Sequence, residues 1–313
     1  MTNKEIAKTL GISPAAISLI LNHKPGVSAQ TPVTRTICFI VYLKDGRVLN
    51  QHPFFLLLMK SIESHARKCG YHITLITMDA SIPIEEQLKS ALPIASEGII
   101  LLATEMLDED AQPFLNLPIP CIAINNDFSH MDISTVAINN QLGTFQAVEY
   151  LFLQGHRNIG YLHSLESISS FDERRDGYLS AMKHFHLELP QDDIYHVHYS
   201  EEESCQDIYR IFKDSPVHST AFICDDDTIA AGALRAFRML GYKIPEDISL
   251  IGFNDRPNAS LTTINVPKSA FGTAAVDSII NLIGKKQNNN CWTSSLKTRI
   301  GTQLVIRDSV KKI

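Results

Sequence analysis

The sequence lacks the short motifs that mark several common enzyme classes. It contains no G-x-G-x-x-G, no phosphate-binding P-loop, no G-x-S-x-G and no H-E-x-x-H pattern. Each of these patterns supplies a defined piece of chemistry, such as a phosphate cradle, an exposed nucleophile or a zinc site. We therefore expect a protein that is not an enzyme and that needs no cofactor.

Cysteine pairs and long apolar runs are missing as well. The six cysteines are scattered without a C-x-x-C pair, which is typical of reduced thiols rather than of a disulfide framework. No apolar run approaches the roughly 20 residues of a membrane-spanning helix, and the polar N-terminus shows no signal-peptide pattern. The sequence thus predicts a cytoplasmic protein without a membrane partner.

The chain does have enough apolar residues for a large interior. Its 313 residues are 44% hydrophobic, and this length suits two or three domains. The net charge of −6 is unevenly distributed, with +3 in residues 1–36 and −9 in the remainder. A basic segment on an acidic body indicates a nucleic-acid contact at that end, although a short solvated basic stretch would have the same composition.

The beginning of the chain has the pattern of two short helices. Thr2 and Glu5 form a capping box, and Gly11 ends the first helix. Ser13 caps a second helix whose first turn holds Pro14, where a missing N–H is tolerated. The spacing of small and apolar residues predicts a helix-turn-helix, with an ordinary helical hairpin as the alternative.

From Thr36 onward strands and helices alternate, which predicts an α/β body of parallel sheets flanked by helices. The predicted strands are 36–42, 72–78, 98–103, 119–124, 158–163, 194–199, 219–224 and 248–253. The predicted helices are 53–69, 84–92, 141–154, 173–184, 201–212 and 228–240. The alternation of strands and helices occurs in two similar series along the chain, which indicates two lobes.

Residues 241–255 are the most specific stretch of the chain. Gly241 and Pro245 end a helix, an apolar strand follows, and the polar residues Asn254 and Asp255 stand at its carboxyl end. Ligands of open α/β sheets bind beyond such strand ends. The stretch resembles the effector domain of the LacI/GalR (lactose-repressor) family of transcription regulators.

Four other stretches carry the same resemblance: 13–28, 155–161, 261–264 and 299–309. The resemblance implies a two-lobed, periplasmic-binding-protein-like (type I) effector body with a cleft between the lobes, preceded by a short all-α helix-turn-helix. The implied boundaries are 1–31 for the helix-turn-helix head, 32–35 for a linker, 36–159 with about 268–292 for the N-terminal lobe, and 160–267 with about 293–313 for the C-terminal lobe.

The resemblance also implies that the second head helix enters the major groove of operator DNA. The residues implied to bind DNA are Thr2, Ser13, Pro14, Ala15, Ala16, Ser18, Leu19 and Asn22. Family members often carry a polar side chain where Leu19 stands. Leucine can contact a thymine methyl group but cannot hydrogen-bond a guanine edge.

The head departs from the family pattern after Ser28. In the family a third head helix and a hinge helix follow this point, whereas here residues 28–35 lead directly into the first predicted strand. Roughly two dozen residues of the pattern are absent, and two short helices alone have little area to bury. We therefore predict weak or no specific operator binding.

Six residues are predicted to bind a small effector: Phe54, Phe55, Asn139, Arg174, Asp226 and Asn254. Aromatic rings can stack on a sugar face, a guanidinium offers a planar fork of donors, and asparagine both donates and accepts. Four of these residues also have a simpler interpretation. Phenylalanine is more often core, the arginine could form an exposed salt bridge, and the aspartate could stabilise a helix N-terminus.

Metal sites are not predicted, although two patterns invite the interpretation. The acidic triplet 225–227 has no evident flanking oxygen ligands for Mg²⁺ or Ca²⁺. The H-x-H pairs His184/His186 and His196/His198 have no third ligand placed by spacing. Stabilisation of the following helix N-terminus explains the triplet, and solvated histidines explain the H-x-H pairs.

These observations predict a ligand-responsive transcriptional repressor that binds operator DNA through its helix-turn-helix. The effector is expected to be a small carbohydrate in the cleft, and the protein a homodimer. The alternative is a sugar-binding sensor module of the same fold that has lost autonomous DNA binding with the shortened head.

Overall fold

A computed structural model of the chain describes residues 35–51, 54–91, 96–188, 194–256, 260–287 and 294–313. The predicted helix-turn-helix head, all eight of its predicted DNA-binding residues and the linker up to residue 34 lie outside the described residues. Within the described residues, no helix combines the length and the apolar character needed to cross a bilayer.

Twelve strands occur in the described residues and form two six-stranded sheets. They are β1 (Arg35–Leu43), β2 (Tyr71–Asp79), β3 (Gly98–Leu102), β4 (Cys121–Ile124), β5 (Ser134–Ile138), β6 (Ile159–Ser164), β7 (Ile194–Val197), β8 (Ala221–Cys224), β9 (Ser249–Phe253), β10 (Thr262–Asn265), β11 (Lys297–Ile300) and β12 (Gln303–Val305). The first sheet has the order β11-β5-β4-β3-β1-β2, and all its neighbouring strands are parallel. The second has the order β12-β10-β9-β8-β6-β7 and is parallel except for the pair β10–β12.

Helices cover these sheets. In the described residues they are α1 (Arg47–Gln51), α2 (Phe54–Lys68), α3 (Ile84–Ala91), α4 (Asp108–Ala111), α5 (Asn140–Leu153), α6 (Ser169–His184), α7 (Glu201–Phe212), α8 (Asp227–Met239) and α9 (Lys268–Gln287), with a short 3-10 turn at Gln112–Phe114. The central strands β3 and β9 are buried along their whole length, as expected for parallel strands covered on both faces. This architecture confirms the predicted α/β, two-lobed fold class.

The chain crosses between the sheets three times: from β5 to α5, from β10 to α9, and from β11 to β12. After the first crossing α5 packs against α6 and the second sheet, and after the second crossing α9 packs against α2 and the first sheet. Each crossing leaves from the carboxyl end of a strand. The carboxyl ends of strands from both lobes therefore border the space between the lobes.

Two of the predicted lobe boundaries need correction. Helix α5 falls in the predicted N-terminal lobe (36–159) but packs on the second sheet, where a Cβ at Gly143 would lie only 2.6 Å from the ring of Phe253. Strand β11 falls in the predicted C-terminal lobe (293–313) but pairs with β5 in the first sheet. The stretch 299–309, which carries part of the resemblance, therefore includes residues of two short strands in different sheets. Strand pairing uses backbone groups, so side-chain composition does not indicate which sheet edge a terminal strand joins.

Candidate ligand-binding cleft

A cavity lies between the two lobes at the carboxyl ends of strands from both sheets. Its volume is about 420 Å³, including space that is open to solvent. The residues that line it are Val48, Leu49, Phe54, Phe55, Thr104, Asn125, Ile138, Ile168, Ser170, Phe171, Arg174, Tyr199, Asp226 and Asn254. Binding at strand ends is the position expected of a ligand site in parallel α/β sheets.

Five of the six residues predicted to bind an effector line this cavity, and Asn139 does not. The Asn139 side chain caps helix α5, where its Oδ1 accepts a hydrogen bond from the backbone N–H of Leu142 at 3.2 Å. An asparagine at a strand end can cap the following helix as well as face a ligand, and the two roles have the same sequence pattern. The structure therefore corrects the assignment of Asn139.

Arg174 is a buried cation held on one side by the protein. Its Nε donates to Asn140 Oδ1 at 2.9 Å, and its Nη1 donates to the backbone carbonyl of Asp225 at 2.5 Å. The guanidinium carbon lies 3.8 Å from the ring centroid of Phe253, which fixes the plane of the fork. Nη2 has no hydrogen-bond partner among the described residues. The arrangement leaves one edge of the guanidinium available to an acceptor in the cavity.

The alternative interpretation of Arg174 as an exposed salt bridge is wrong. Only 3% of the residue's surface is exposed. The neighbouring Arg175 makes the exposed contacts instead, with Nη1 2.9 Å from Asp172 Oδ1 one helical turn earlier.

Asp226 and Asn254 form a buried pair on the second lobe. Asp226 Oδ1 accepts from the backbone N–H of Thr228 at 2.8 Å and so caps helix α8, as the simpler interpretation proposed. Its Oδ2 accepts from Asn254 Nδ2 at 2.5 Å. Because a carboxylate only accepts, Asn254 must direct its amino group to Asp226. The amide oxygen Oδ1 of Asn254 is then left buried without a partner in the described part of the chain.

Asn125 presents a matching oxygen from the first lobe, and sequence reasoning missed it. It follows strand β4 with a left-handed φ of 65°, a conformation that asparagine tolerates better than most residues. Its Nδ2 donates to Thr104 Oγ1 at 2.9 Å, and its buried Oδ1 has no partner among the described residues. Asn254 shares this geometry, with a φ of 95°. The polar pair Asn125-Asn126 directly after a predicted strand was the available signal.

The acidic triplet 225–227 supports the cleft from behind. Asp225 is fully buried and accepts from the Tyr161 hydroxyl at 2.5 Å, from His163 Nδ1 at 2.7 Å and from the backbone N–H of Ser164 at 2.7 Å. Burial, together with the Asp225 carboxylate, raises the pKa of Tyr161 well above its usual value. The Tyr161 hydroxyl therefore stays protonated and acts as a donor to Asp225.

Asp227 is buried on the far side of the same triplet. Its Oδ1 accepts from Thr263 Oγ1, and its Oδ2 accepts from the backbone N–H of Arg256, both at 2.6 Å. Burial and the nearby Asp226 carboxylate raise the pKa of Asp227 from 3.8 to about 7. Each carboxylate of the triplet is thus occupied by protein donors, which explains the triplet without a metal ion.

Residues 44–49, which lead into helix α1, border the cavity and are held in place by Glu105. This buried carboxylate accepts from the backbone N–H groups of Lys44 and Gly46 at 3.0 Å, and from those of Val48 and Leu49 at 3.3 Å. These bonds fix the turn that carries Val48 and Leu49 to the cavity wall. A single side chain far along the sequence organises this loop, so residue patterns near β1 could not reveal it.

Two contacts join the lobes at this position. Arg47 Nη1 of the loop lies 3.3 Å from Glu166 Oε1 on the second lobe. Inside the cleft, Ser170 Oγ lies 3.5 Å from the backbone carbonyl of Asn125. The two walls are therefore close together, with little space between them for bulk water.

Comparison with known proteins identifies the class to which this fold and cleft belong. The family model for the periplasmic binding protein-like domain matches residues 148–310, about half of the chain. The chain belongs to this family.

Relatives over the full length narrow the class further. The probable HTH-type transcriptional repressor ExuR of Bacillus subtilis is 25% identical, with 100% of this chain and 99% of the relative covered. The ribose operon repressor of Haemophilus influenzae is 25% identical (99% and 98% covered), and the HTH-type transcriptional repressor CytR of Escherichia coli is 27% identical (100% and 97% covered). These relatives confirm the resemblance to LacI/GalR-type regulators.

Solved structures of LacI-type regulators share the fold. The complex of the regulator CelR with cellobiose aligns with a TM-score of 0.76 at 21% identity, covering 99% of both chains. A LacI family regulator from Enterococcus faecium with bound ribose aligns with a TM-score of 0.70 at 22% identity, covering 88% of this chain and 99% of the other.

The alignment with ExuR spans 344 positions while covering all 313 residues of this chain, so the relative has residues that this chain lacks.

Proposed function

We propose that this protein is a ligand-responsive transcriptional repressor whose effector is a small, hydroxyl-rich molecule bound between the lobes. The observation that carries the proposal is the pair of unpartnered amide oxygens, Asn125 Oδ1 on the first lobe and Asn254 Oδ1 on the second. A buried acceptor without a donor is unfavourable by about 1–3 kcal/mol. A ligand that donates to both oxygens removes this penalty on both walls at once.

The chemistry of the wall supports a carbohydrate. A sugar hydroxyl can donate to an asparagine oxygen and accept from the free edge of Arg174. The apolar faces of a sugar ring suit aromatic side chains such as Phe55 and Phe171, which line the same cavity. Among the similar proteins described above, one is named for the ribose operon and two solved structures contain cellobiose or ribose.

Effector binding would act by favouring one arrangement of the lobes. A ligand that contacts both walls stabilises the closed arrangement by the difference between its affinities for the closed and open forms. In a homodimer, that difference would be linked to the affinity of the paired heads for operator DNA. The names of the full-length relatives support repression as the output.

Calorimetric titration of the full chain with a ligand panel tests the effector assignment. The panel contains pentoses, hexoses, disaccharides, hexuronates, nucleosides and purine bases. We expect one class of hydroxyl-rich ligand to bind at one site per chain, and the Asn254→Gly variant to bind it more weakly. Binding confined to purine bases would rule out the carbohydrate assignment.

The short connection from Ser28 to the first strand favours a second candidate, a sensor module without autonomous DNA binding. A mobility-shift assay at physiological salt, with and without the effector found by calorimetry, separates the two functions. Specific binding by regulators of this kind falls in the range of about 10⁻⁸–10⁻¹¹ M. A sequence-dependent shift in that range supports the repressor. Effector binding without such a shift supports the sensor module.

A further inference from the structure

Helices α2 and α9 form a rigid pair on the first lobe. A Cβ built at Gly272 of α9 would lie 2.3 Å from Ser61 Oγ of α2, so the helix backbones approach closely. The same Ser61 Oγ donates to the backbone carbonyl of Ser269 at 3.2 Å, and the rings of Phe54 and Phe271 lie 6.3 Å apart. The side chains at the solvent edge of this contact are therefore held on a fixed scaffold.

Three potential metal ligands meet at that edge. His65 is on α2, and Cys69 follows one turn later, with its N–H bonded to the carbonyl of His65 at 3.1 Å. Residues four apart lie on one face of a helix. Asp277 projects from α9, and its Oδ1 lies 2.8 Å from His65 Nε2. The three side chains thus come from both helices of the pair.

The distances suit a single ion of the zinc type. Cys69 Sγ lies 3.8 Å from His65 Nε2, and the three ligand atoms all lie within 4.8 Å of one another. Tetrahedral zinc with ordinary bond lengths separates neighbouring ligand atoms by about 3.3–3.6 Å. The exposed Asp277 side chain would reach this geometry by moving away from His65 and up to about 1 Å closer to Cys69, at the expense of its hydrogen bond to His65.

We propose that His65, Cys69 and Asp277 form a surface site for a divalent transition-metal ion of the zinc type, which bridges α2 and α9. Thiolate and imidazole ligands select zinc-like ions over magnesium or calcium, which prefer all-oxygen shells. Three protein ligands leave the fourth position of a tetrahedral ion to water. The side chains are accessible to an ion from solvent, since Asp277 is 61% exposed and Cys69 is a free, exposed thiol.

The site is separate from the ligand-binding cleft, because none of its residues lines the cavity. A bound ion would tie the two helices together and stabilise the folded chain through its binding energy. The competing explanation is an ordinary hydrogen bond between His65 and Asp277 with a cysteine nearby. The two explanations differ in whether the thiol takes part.

Cobalt titration of the metal-free full-length protein, kept reduced with a non-thiol reagent, tests the proposal. Co²⁺ bound by Cys69 gives a thiolate-to-cobalt charge-transfer band in the near ultraviolet, and Zn²⁺ should displace it at one equivalent. The Cys69→Ser variant should lose the band. Asp277→Asn keeps an oxygen that can accept from His65 but removes the charged ligand. The Asp277→Asn variant should bind Co²⁺ about 100-fold more weakly than the wild type. Mutating residues that only support metal ligands already lowers metal affinity by about 10- to 100-fold.

His72→Ala serves as the matched control, because His72 is an exposed histidine of the same lobe that is not one of the three clustered residues. It should keep the band and the wild-type affinity. Thermal unfolding gives a second readout, in which Zn²⁺ raises the melting temperature of the wild type and of the control but not of Cys69→Ser. A charge-transfer band that survives in Cys69→Ser, or equal Co²⁺ affinity in Asp277→Asn and the wild type, overturns the proposal.

Discussion

The two walls of the cleft differ in chemistry. The first-lobe wall is mainly apolar and consists of Val48, Leu49, Phe54, Phe55 and Ile138, with Thr104 and Asn125 as its polar members. The second-lobe wall is mainly polar and consists of Ser170, Arg174, Tyr199, Asp226 and Asn254, with Ile168 and Phe171 as its apolar members. A ligand between the two walls therefore contacts a mainly apolar surface on the first lobe and a hydrogen-bonding surface on the second.

The difference indicates how the two lobes divide the work of recognition. Polar side chains discriminate strongly, because a ligand that fails to pair with them leaves buried groups unsatisfied. Apolar side chains contribute affinity over a contact area and tolerate variation in shape. We expect the second lobe to determine which ligand binds and the first lobe to determine how tightly it is enclosed.

Asp227, one of three buried aspartates behind the polar wall, provides the test with the largest expected effect. Its folded pKa of about 7 lies above the ordinary 3.8, so the folded chain binds more protons than the unfolded chain between these values. Its contribution to the free energy of unfolding should fall by up to about 1.4 kcal/mol per pH unit from pH 4 to 7 and stay level above. Asp227→Asn should remove this decline.

Urea unfolding at several pH values measures the difference between the wild type and Asp227→Asn. Asp226 and Asp255 add negative charge near Asp227, and the partly buried ammonium of Lys268 partly offsets it. Their contributions are common to both proteins and cancel largely in the comparison. Asp176→Asn, at an exposed position of α6, is the control and should retain the wild-type pH dependence. Equal slopes in the wild type and Asp227→Asn would contradict the expectation.

Arg174 carries the next largest effect. Arg174→Met keeps much of the side-chain volume but removes two charge-assisted hydrogen bonds, to Asn140 Oδ1 and to the carbonyl of Asp225. We expect a loss of about 3 kcal/mol in the free energy of unfolding and no detectable effector binding. Urea unfolding and calorimetry measure the two effects.

Arg175→Met on the same helix is the matched control for Arg174. Its guanidinium makes exposed ion pairs with Asp172 and Asp176, which are worth about 1 kcal/mol or less. This variant should bind effector as the wild type does. If Arg174→Met bound effector with unchanged affinity, the polar wall would not select the ligand through this residue.

Much of the second-lobe wall was predictable from sequence. The apolar strand before Asn254 and the predicted helix over 173–184 gave the positions of Asn254 and Arg174 within their elements, and both residues line the cavity. The same reasoning located Asp226 at the end of β8 and Phe54 and Phe55 at the start of α2. These residues are positioned by the elements to which they belong.

The parts that were missed depend on contacts between distant segments. The turn carrying Val48 and Leu49 is organised by Glu105, more than fifty residues away. Asn139 was assigned to the cleft because a cap and a ligand contact have the same local sequence. The sheet membership of β11 and α5 depends on where the chain crosses between lobes, which periodicity does not encode.

Asn125 and Asn254, whose amide oxygens have no partner in the described part of the chain, allow a direct comparison of the two walls. Both have left-handed φ angles, so Asn125→Gly and Asn254→Gly remove the side chains without backbone strain. We expect Asn254→Gly to weaken effector binding by about tenfold or more, and Asn125→Gly to have a smaller effect. Asp226 fixes the orientation of the Asn254 amide, whereas the hydroxyl of Thr104 can accept or donate and so permits either orientation of the Asn125 amide. Calorimetry with one effector measures both, and a larger loss in Asn125→Gly would reverse the proposed division between the lobes.

Phe55 tests the apolar wall of the first lobe, and its substitution should have the smallest effect on effector affinity. Phe55→Ala removes a half-buried ring at the cavity edge, and aromatic contacts contribute about 0.5–1.5 kcal/mol beyond area burial. Effector affinity should fall by about three- to tenfold, with the order of preference among ligands unchanged. Leu57→Ala, two residues along α2 and 40% exposed, is the control and should leave binding unaffected. A change in ligand preference in Phe55→Ala would show that the apolar wall also selects the ligand, and the two walls would then share a role that we assign to the second lobe alone.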